Sequence, residues 1–246
     1  QLDVSNEDAQ SLVFDDTLLF DLDKFSGYDR IETGTRANIG IQYTLQNYTG
    51  GYMRAVFGQS YHLDGDNAYA LDSNGQINKS GLQRDESDFV GGLYLKPNDN
   101  LTLVAQSRFD DKEFDLQRQD VYASFRAGPL SGQLNYAFVK GEGDKSVISD
   151  EQEILANARL KLTQYWSLIG GIRYDIEDDF RVSDYIGLEY SDECFSLSVS
   201  YNESFIDDRD VDPDQSVKVF FTLKHLGSFG TQQNVGQSSK SGNSSN

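Results

Sequence analysis

The sequence predicts an all-β protein: an antiparallel up-and-down transmembrane β-barrel segment of about eleven strands, part of a larger barrel. Three observations point there. Apolar and polar residues alternate with a period of two almost throughout, as in strands with one greasy and one wet face. Most of these runs are about ten residues long, near the roughly 9–11 that a tilted strand needs to cross a bilayer. Strands of soluble proteins are usually about five or six. Finally, the connections alternate between short and long, the asymmetry of periplasmic turns and extracellular loops.

The elements follow in order. In 35–47, Ala37, Ile39, Ile41, Tyr43 and Leu45 alternate with Asn38, Gly40, Gln42 and Thr44. A tight link at Asn47-Tyr48-Thr49-Gly50 leads to 51–63, and a long acidic one, 64–86, to 87–96. Pro97-Asn98-Asp99-Asn100 turns the chain into 100–110, and a link near 111–113 leads to 114–126. Ala127-Gly128-Pro129 then gives 130–141, and the loop 141–150 gives 151–163, where Ile154, Ala156, Ala158, Leu160 and Leu162 share a phase. After Thr163-Gln164 comes 165–176, with Trp166, Leu168, Gly170, Ile172 and Tyr174 in one phase and Ser167, Arg173 and Asp175 in the other. A link near 176–179 precedes 179–191, in which Ile186, Leu188 and Tyr190 alternate with Tyr185, Gly187 and Glu189. Ser191-Asp192-Glu193 opens 194–205, where Phe195, Leu197, Val199 and Tyr201 alternate with serines, and the acidic 206–214 precedes 215–226. The organisation expected is an extracellular loop segment (1–34), a barrel portion (35–227) and a disordered tail rich in Ser, Gln, Asn and Gly (228–246).

Strand parity carries a further expectation. Eleven antiparallel strands place the two ends on opposite sides of a membrane. Closed bacterial barrels have even counts, and an open edge is not tolerated in hydrocarbon. An odd number of strands is therefore expected before Gln1. The chain shows no leader at Gln1, so one was removed or this is an internal piece.

Composition removes other classes. The 246 residues carry 21 Lys+Arg against 40 Asp+Glu, a formal net charge of -19, which argues against a nucleic-acid partner. No apolar run reaches the roughly 18 residues of a transmembrane helix. With one cysteine, neither an internal disulfide framework nor a multi-cysteine zinc site can form.

Candidate chemistry is sparse. Ser60 and His62 share a strand phase, but a Ser–His pair needs a third group to orient the base, and a polar lining role fits them better. His225 falls near the end of the last predicted strand, an interfacial position. Asp207, Asp208, Asp210, Asp212 and Asp214 are dense enough to attract a divalent ion, yet lack the pattern of an EF-hand loop. Arg54, Arg108, Arg126, Arg159, Lys161, Arg173, Arg181, Lys218 and Lys224 are expected to face inward, where they line a polar lumen or meet an anionic solute or headgroup. Cys194 follows a tight turn on the predicted periplasmic side; a free thiol and a cross-link outside the chain both remain open. No catalytic, cofactor or metal residue is assigned.

Several stretches resemble LptD, the LPS-assembly outer-membrane family. They are Phe14-Asp15-Asp16-Thr17 with Leu19-Phe20, Phe25 to Glu32 with Gly34-Thr35-Arg36, Gly58-Gln59-Ser60-Tyr61, and Asp115-Leu116-Gln117-Arg118. Clearest are Leu188 to Phe195 and Phe220 to Ser228. Their order covers nearly the whole chain and fits the C-terminal end of that barrel. The resemblance implies a Gram-negative outer-membrane location and lipopolysaccharide as cargo. It implies an LptE-like lipoprotein plug, a periplasmic LPS-transport bridge and an upstream periplasmic domain. It also implies that Cys194 matches a cysteine bonded to that domain, although Glu193 stands where some members carry a second cysteine.

The function expected is therefore LPS assembly into the outer leaflet through a lumen and a lateral gate, with no enzymatic step. The gate is expected at strand 215–226, a terminal edge with Val217, Val219, Phe221 and Leu223 toward lipid. A diffusion porin, an outer-membrane barrel enzyme and a soluble secreted β protein are the competing readings.

Overall fold

The computed structural model describes residues 13–21, 24–25, 32–48, 50–70, 80–141, 150–206, 213–224 and 227–234. Twelve strands follow one another: β1 (Thr35–Gln46), β2 (Tyr52–Asp64), β3 (Phe89–Asn98), β4 (Leu101–Phe109), β5 (Leu116–Ala127) and β6 (Leu130–Val139). They continue as β7 (Glu151–Lys161), β8 (Trp166–Asp175), β9 (Phe180–Ser191), β10 (Phe195–Ser204), β11 (Asp214–Leu223) and β12 (Gly227–Asn234). Their order in the sheet is their order in the chain, so the expected up-and-down antiparallel fold is observed. Short and long connections alternate from β1 to β7, but the expected alternation lapses at β8, whose links to β7 (162–165) and to β9 (176–179) are equally short. No helix of the described residues is long and apolar enough to cross a membrane.

The chain divides into two compact units, Gln1–Ala123 with Tyr136–Glu151, and Ser124–Asn135 with Gln152–Asn246. In the first, Ile41, Tyr43 and Leu45 stand opposite Phe57, Ala55 and Met53, which in turn stand opposite Gly91, Leu93 and Leu95. The other phase pairs Asn38 with Ser60, Arg54 with Tyr94, and Gly92 with Gln106. In the second unit Leu168, Leu188, Val199 and Val219 form one apolar row across four strands. Ser167, Glu189, Ser198 and Phe220 form the adjacent row on the other face. The apolar face is bare: Ile41 is 77% exposed, Ile186 58% and Leu188 46%.

The buried core of the described residues comprises Phe14, Leu19, Val56, Tyr69, Leu82 and Val90, joined by Leu18 and Phe25. Val56 and Val90 belong to the polar phase of β2 and β3. The core of the first unit therefore sits on the polar face, built by segments outside the strands.

Three features differ in detail from the reading of the sequence. First, the described residues form twelve strands where about eleven were expected, the added one being residues 227–234, which pair with β11. Gly227-Ser228-Phe229-Gly230-Thr231-Gln232-Gln233-Asn234 has no apolar alternation, so only the neighbouring ladder reveals it as a strand. Second, β11, expected as the terminal strand, has a further neighbour among the described residues: Val217, Val219, Phe221 and Leu223 have β10 on one side and β12 on the other. Third, Arg181 does not share the polar phase. The register slips between Arg173 and Tyr174, so Arg181 stands opposite Tyr174, pairs with Asp184 at 2.8 Å and lies over the Phe205 ring. His225, Asp207, Asp208, Asp210 and Asp212 lie outside the described residues, as does the tail from 235 on.

Candidate functional site: the two faces and the segment seated on one of them

The polar face of β1–β3 is floored by glycine. Gly40 and Gly58 are direct partners, and Gly92 stands opposite Val56. A Cβ at Gly40 or Gly58 would meet the Leu19 side chain at 2.8 or 2.6 Å, and one at Gly92 would run into the Asp16 carboxylate. These absent side chains make room for residues 14–19 to lie against the sheet.

Asp15 prepares the segment locally, its Oδ1 accepting from the Thr17 amide (2.9 Å) and hydroxyl (2.6 Å), an Asx turn. Asp16, 1% exposed, then reaches the wall, where Tyr94 Oη donates to its Oδ2 at 2.8 Å and Gln106 Nε2 to its Oδ1 at 2.8 Å. The Phe14 amide bonds the Ser80 carbonyl at 3.0 Å. At the upper end Glu32 gathers Arg36 (2.8 Å), the Tyr69 hydroxyl (3.0 Å) and Lys24 (3.8 Å). A carboxylate buried among donors is charge-assisted rather than orphaned. Residues 13–25 were legible as a loop segment; their seat was not. The available signal was three glycines in the polar phase of adjacent strands.

Ser60 and His62 share the polar face as expected, but they form no catalytic pair. Ser60 is fully buried and its hydroxyl donates to Asn38 Oδ1 at 2.6 Å, whereas a His62 ring nitrogen bonds the Gly65 carbonyl at 2.9 Å. Outside the strands, Asp88, Asp110 and Asp111 bring carboxylate oxygens within 4.8 Å of one another. Arg84 pairs with all three, and Arg108 with Asp88 at 3.3 Å, so the cluster is neutralised from within the chain. Burial pushes the Asp88 carboxyl up to about 6, against the pull of Arg108 and Arg84.

The second unit carries the other basic residues. Arg159 forks onto Glu189, with Nη2 at 2.9 Å from Oε2, and Arg173 meets Glu153 at 2.7 Å. Tyr185 Oη bonds Asn157 Oδ1 at 3.1 Å. All six belong to the polar phase. On the apolar face an aromatic row runs along the short-turn ends: Trp166 to Tyr190 at 5.2 Å, Tyr190 to Phe195 at 5.3 Å, and Phe195 to Phe221 at 5.5 Å between centroids. Cys194 is free and exposed in the β9–β10 turn. Asp192 Oδ1 shapes that turn by accepting from the Cys194 and Phe195 amides at 2.8 and 2.9 Å, which holds its carboxyl below the usual range. The Cys194 carbonyl accepts from the Lys224 amide at 3.1 Å, so the turn is tied to the end of β11.

This arrangement, a bare apolar face with an aromatic row backed by a polar face of paired charges, agrees with comparisons to known proteins. The family described as LptD, LPS transport system D, matches residues 1–151. The LPS-assembly protein LptD of Acinetobacter baumannii is 27% identical over 217 residues, 85% of this chain and 25% of that protein. Those of Aeromonas salmonicida and Hahella chejuensis are 22% and 23% identical, covering 87% and 94% of this chain. The chain thus spans about a quarter of the length of these curated relatives. By the match over more than half of its residues, with relatives aligned over most of the remainder, the chain belongs to the LptD family.

Proposed function

We propose that this chain is part of an outer-membrane barrel that assembles lipopolysaccharide into the outer leaflet of a Gram-negative bacterium. The observation that carries the reading is the polarity of the sheet. Leucine, isoleucine and aromatic residues stand exposed in contiguous rows, and the charged pairs lie behind them. In water such a face is an aggregation liability; against lipid it is the surface a barrel needs. In this reading the polar face lines a lumen that the cargo passes, and the full-length protein works with an LptE-like plug and a periplasmic LPS-transport bridge. Cys194 then bonds a periplasmic domain. Release into the membrane occurs at the seam beside β11, the strand of Val217, Val219, Phe221 and Leu223, where the strand that closes the barrel comes from the rest of the full-length protein.

Depletion of the full-length protein tests the function, with lipopolysaccharide at the cell surface as the readout. Loss of surface lipopolysaccharide is expected, and normal levels refute the reading. A cysteine at Val219 joined to one on the first barrel strand is expected to block delivery while the barrel stays folded. Full delivery through a fully cross-linked seam refutes the lateral opening. A diffusion porin would instead conduct ions and leave surface lipopolysaccharide unchanged on depletion.

A further inference from the structure

Two rungs on the polar face of β1–β3, next to the short turns, hold cations and no carboxylate. In one, Thr44, Arg54 and Tyr94 stand side by side; in the next, Gln46, Tyr52 and Lys96. Arg36, Arg108, Arg118, Arg159 and Arg173 each meet a carboxylate within the chain. Arg54 meets none among the described residues, and its Nε is buried without a hydrogen-bond partner. What holds it is the Tyr94 ring, whose centroid lies 5.4 Å from the guanidinium carbon. Stacking fixes the plane of the guanidinium and leaves its N–H donors uncommitted, a fork ready for an anion.

Lys96, one rung nearer the turns and one strand over, pairs with Asp99 at 2.9 Å, a carboxylate that is 93% exposed. A pair so open to water is weak and gives way to a better anion. On the other side the site is bounded. One rung away, Gly92 lies against the Asp16 carboxylate, which is bonded to the Tyr94 hydroxyl and to Gln106. The seated segment therefore roofs the site, and its open side is toward the short turns. An arginine fork and a lysine ammonium one rung apart suit a phosphate monoester, which has several acceptor oxygens and about two negative charges. Gln46 and Tyr52 add an amide and a hydroxyl suited to the sugar that bears it.

We propose that Arg54 and Lys96 form a phosphate subsite, which takes the phosphorylated sugar headgroup of the lipid cargo as it reaches the polar face from the short-turn side. The proposal rests on the transport reading and adds to it the residues that hold the cargo's charge.

The test uses the full-length protein purified in detergent, with the photo-cross-linker of Thr44→p-benzoylphenylalanine beside Arg54. The probes are lipopolysaccharide, the same lipopolysaccharide stripped of its lipid phosphates by a phosphatase, and phosphatidylglycerol as competitor. Lipopolysaccharide is expected to cross-link at this position. Loss of its phosphates should weaken the cross-link by about tenfold, the least that one lost hydrogen bond to a charged group costs. Arg54→Gln with Lys96→Gln should bring intact lipopolysaccharide down to the level of the stripped form. The same pair should leave the stripped form and the heat-modifiable mobility of the folded barrel unchanged, whereas a structural role would lower both ligands alike. Arg54→Lys keeps the charge without the fork and should recover part of the preference. The proposal is overturned if no lipopolysaccharide cross-links at Thr44, if the parent does not distinguish the two forms, or if the double variant still does. It is also overturned if phosphatidylglycerol at equal concentration displaces the cargo, or if the cross-linker captures another segment of the protein instead. Each of these results leaves the transport reading standing. That reading fails separately, by normal surface lipopolysaccharide on depletion.

Discussion

Replacing Gly92 with alanine should unseat the segment that covers the polar face of β1–β4. The added Cβ occupies the space of the Asp16 carboxylate, which is wedged between Tyr94 and Gln106. Moving Asp16 forfeits two hydrogen bonds to an ionised group, each about 1.5–3 kcal/mol. Taking the lower figure for both, the docked state of residues 14–21 loses about 3 kcal/mol. At roughly 1.4 kcal/mol per decade this opens the segment about a hundredfold more often. Amide hydrogen exchange of the peptide from Phe14 to Asp21, in the full-length protein in detergent, reads that opening directly, because the Phe14 amide is protected by the Ser80 carbonyl. Gly91→Ala is the internal control: its Cβ points to the other face and meets Phe57 at 3.3 Å, so the same peptide should be unaffected. Exchange in the Gly92 variant within about threefold of the parent would refute the seat as the structure describes it.

Two further predictions concern other sites. Asp88 is raised by burial from 3.8 to about 6 in the fold. Its contribution to stability is therefore fully present below pH 3.8 and lost as pH rises to about 6, so the protection factor of the Asp88 amide, bonded to Gly81, taken against its intrinsic exchange rate at each pH, should fall across that window and level off above it. Asp88→Asn should flatten the profile, and an unchanged profile would assign the titration elsewhere. Phe195→Ala removes ring contacts to Tyr190 and Phe221 and should destabilise the folded barrel by about 1–3 kcal/mol beyond the lost area, measured by urea unfolding in lipid. A change below about 0.5 kcal/mol would mean that the aromatic row is incidental.

The sequence alone determines the strands and their two faces, because alternation is a local property: a residue's neighbours two positions away share its side whatever lies across the ladder. Ile39, Ile41 and Tyr43, or Leu197, Val199 and Tyr201, announce themselves in this way. The same locality explains where reading fails. At Arg181 one register slip reverses the phase, and the slip depends on the pairing of β8 with β9. Residues 227–234 carry no alternation and are recognised as a strand only through their pairing with β11. The seat of Phe14, Asp16 and Leu19 depends on three glycines brought side by side from β1, β2 and β3 and on a wall that joins residues up to 90 positions apart. Hydrophobic phase is written along the chain; ladder occupancy and close approach exist only between segments, so the tertiary structure alone decides them.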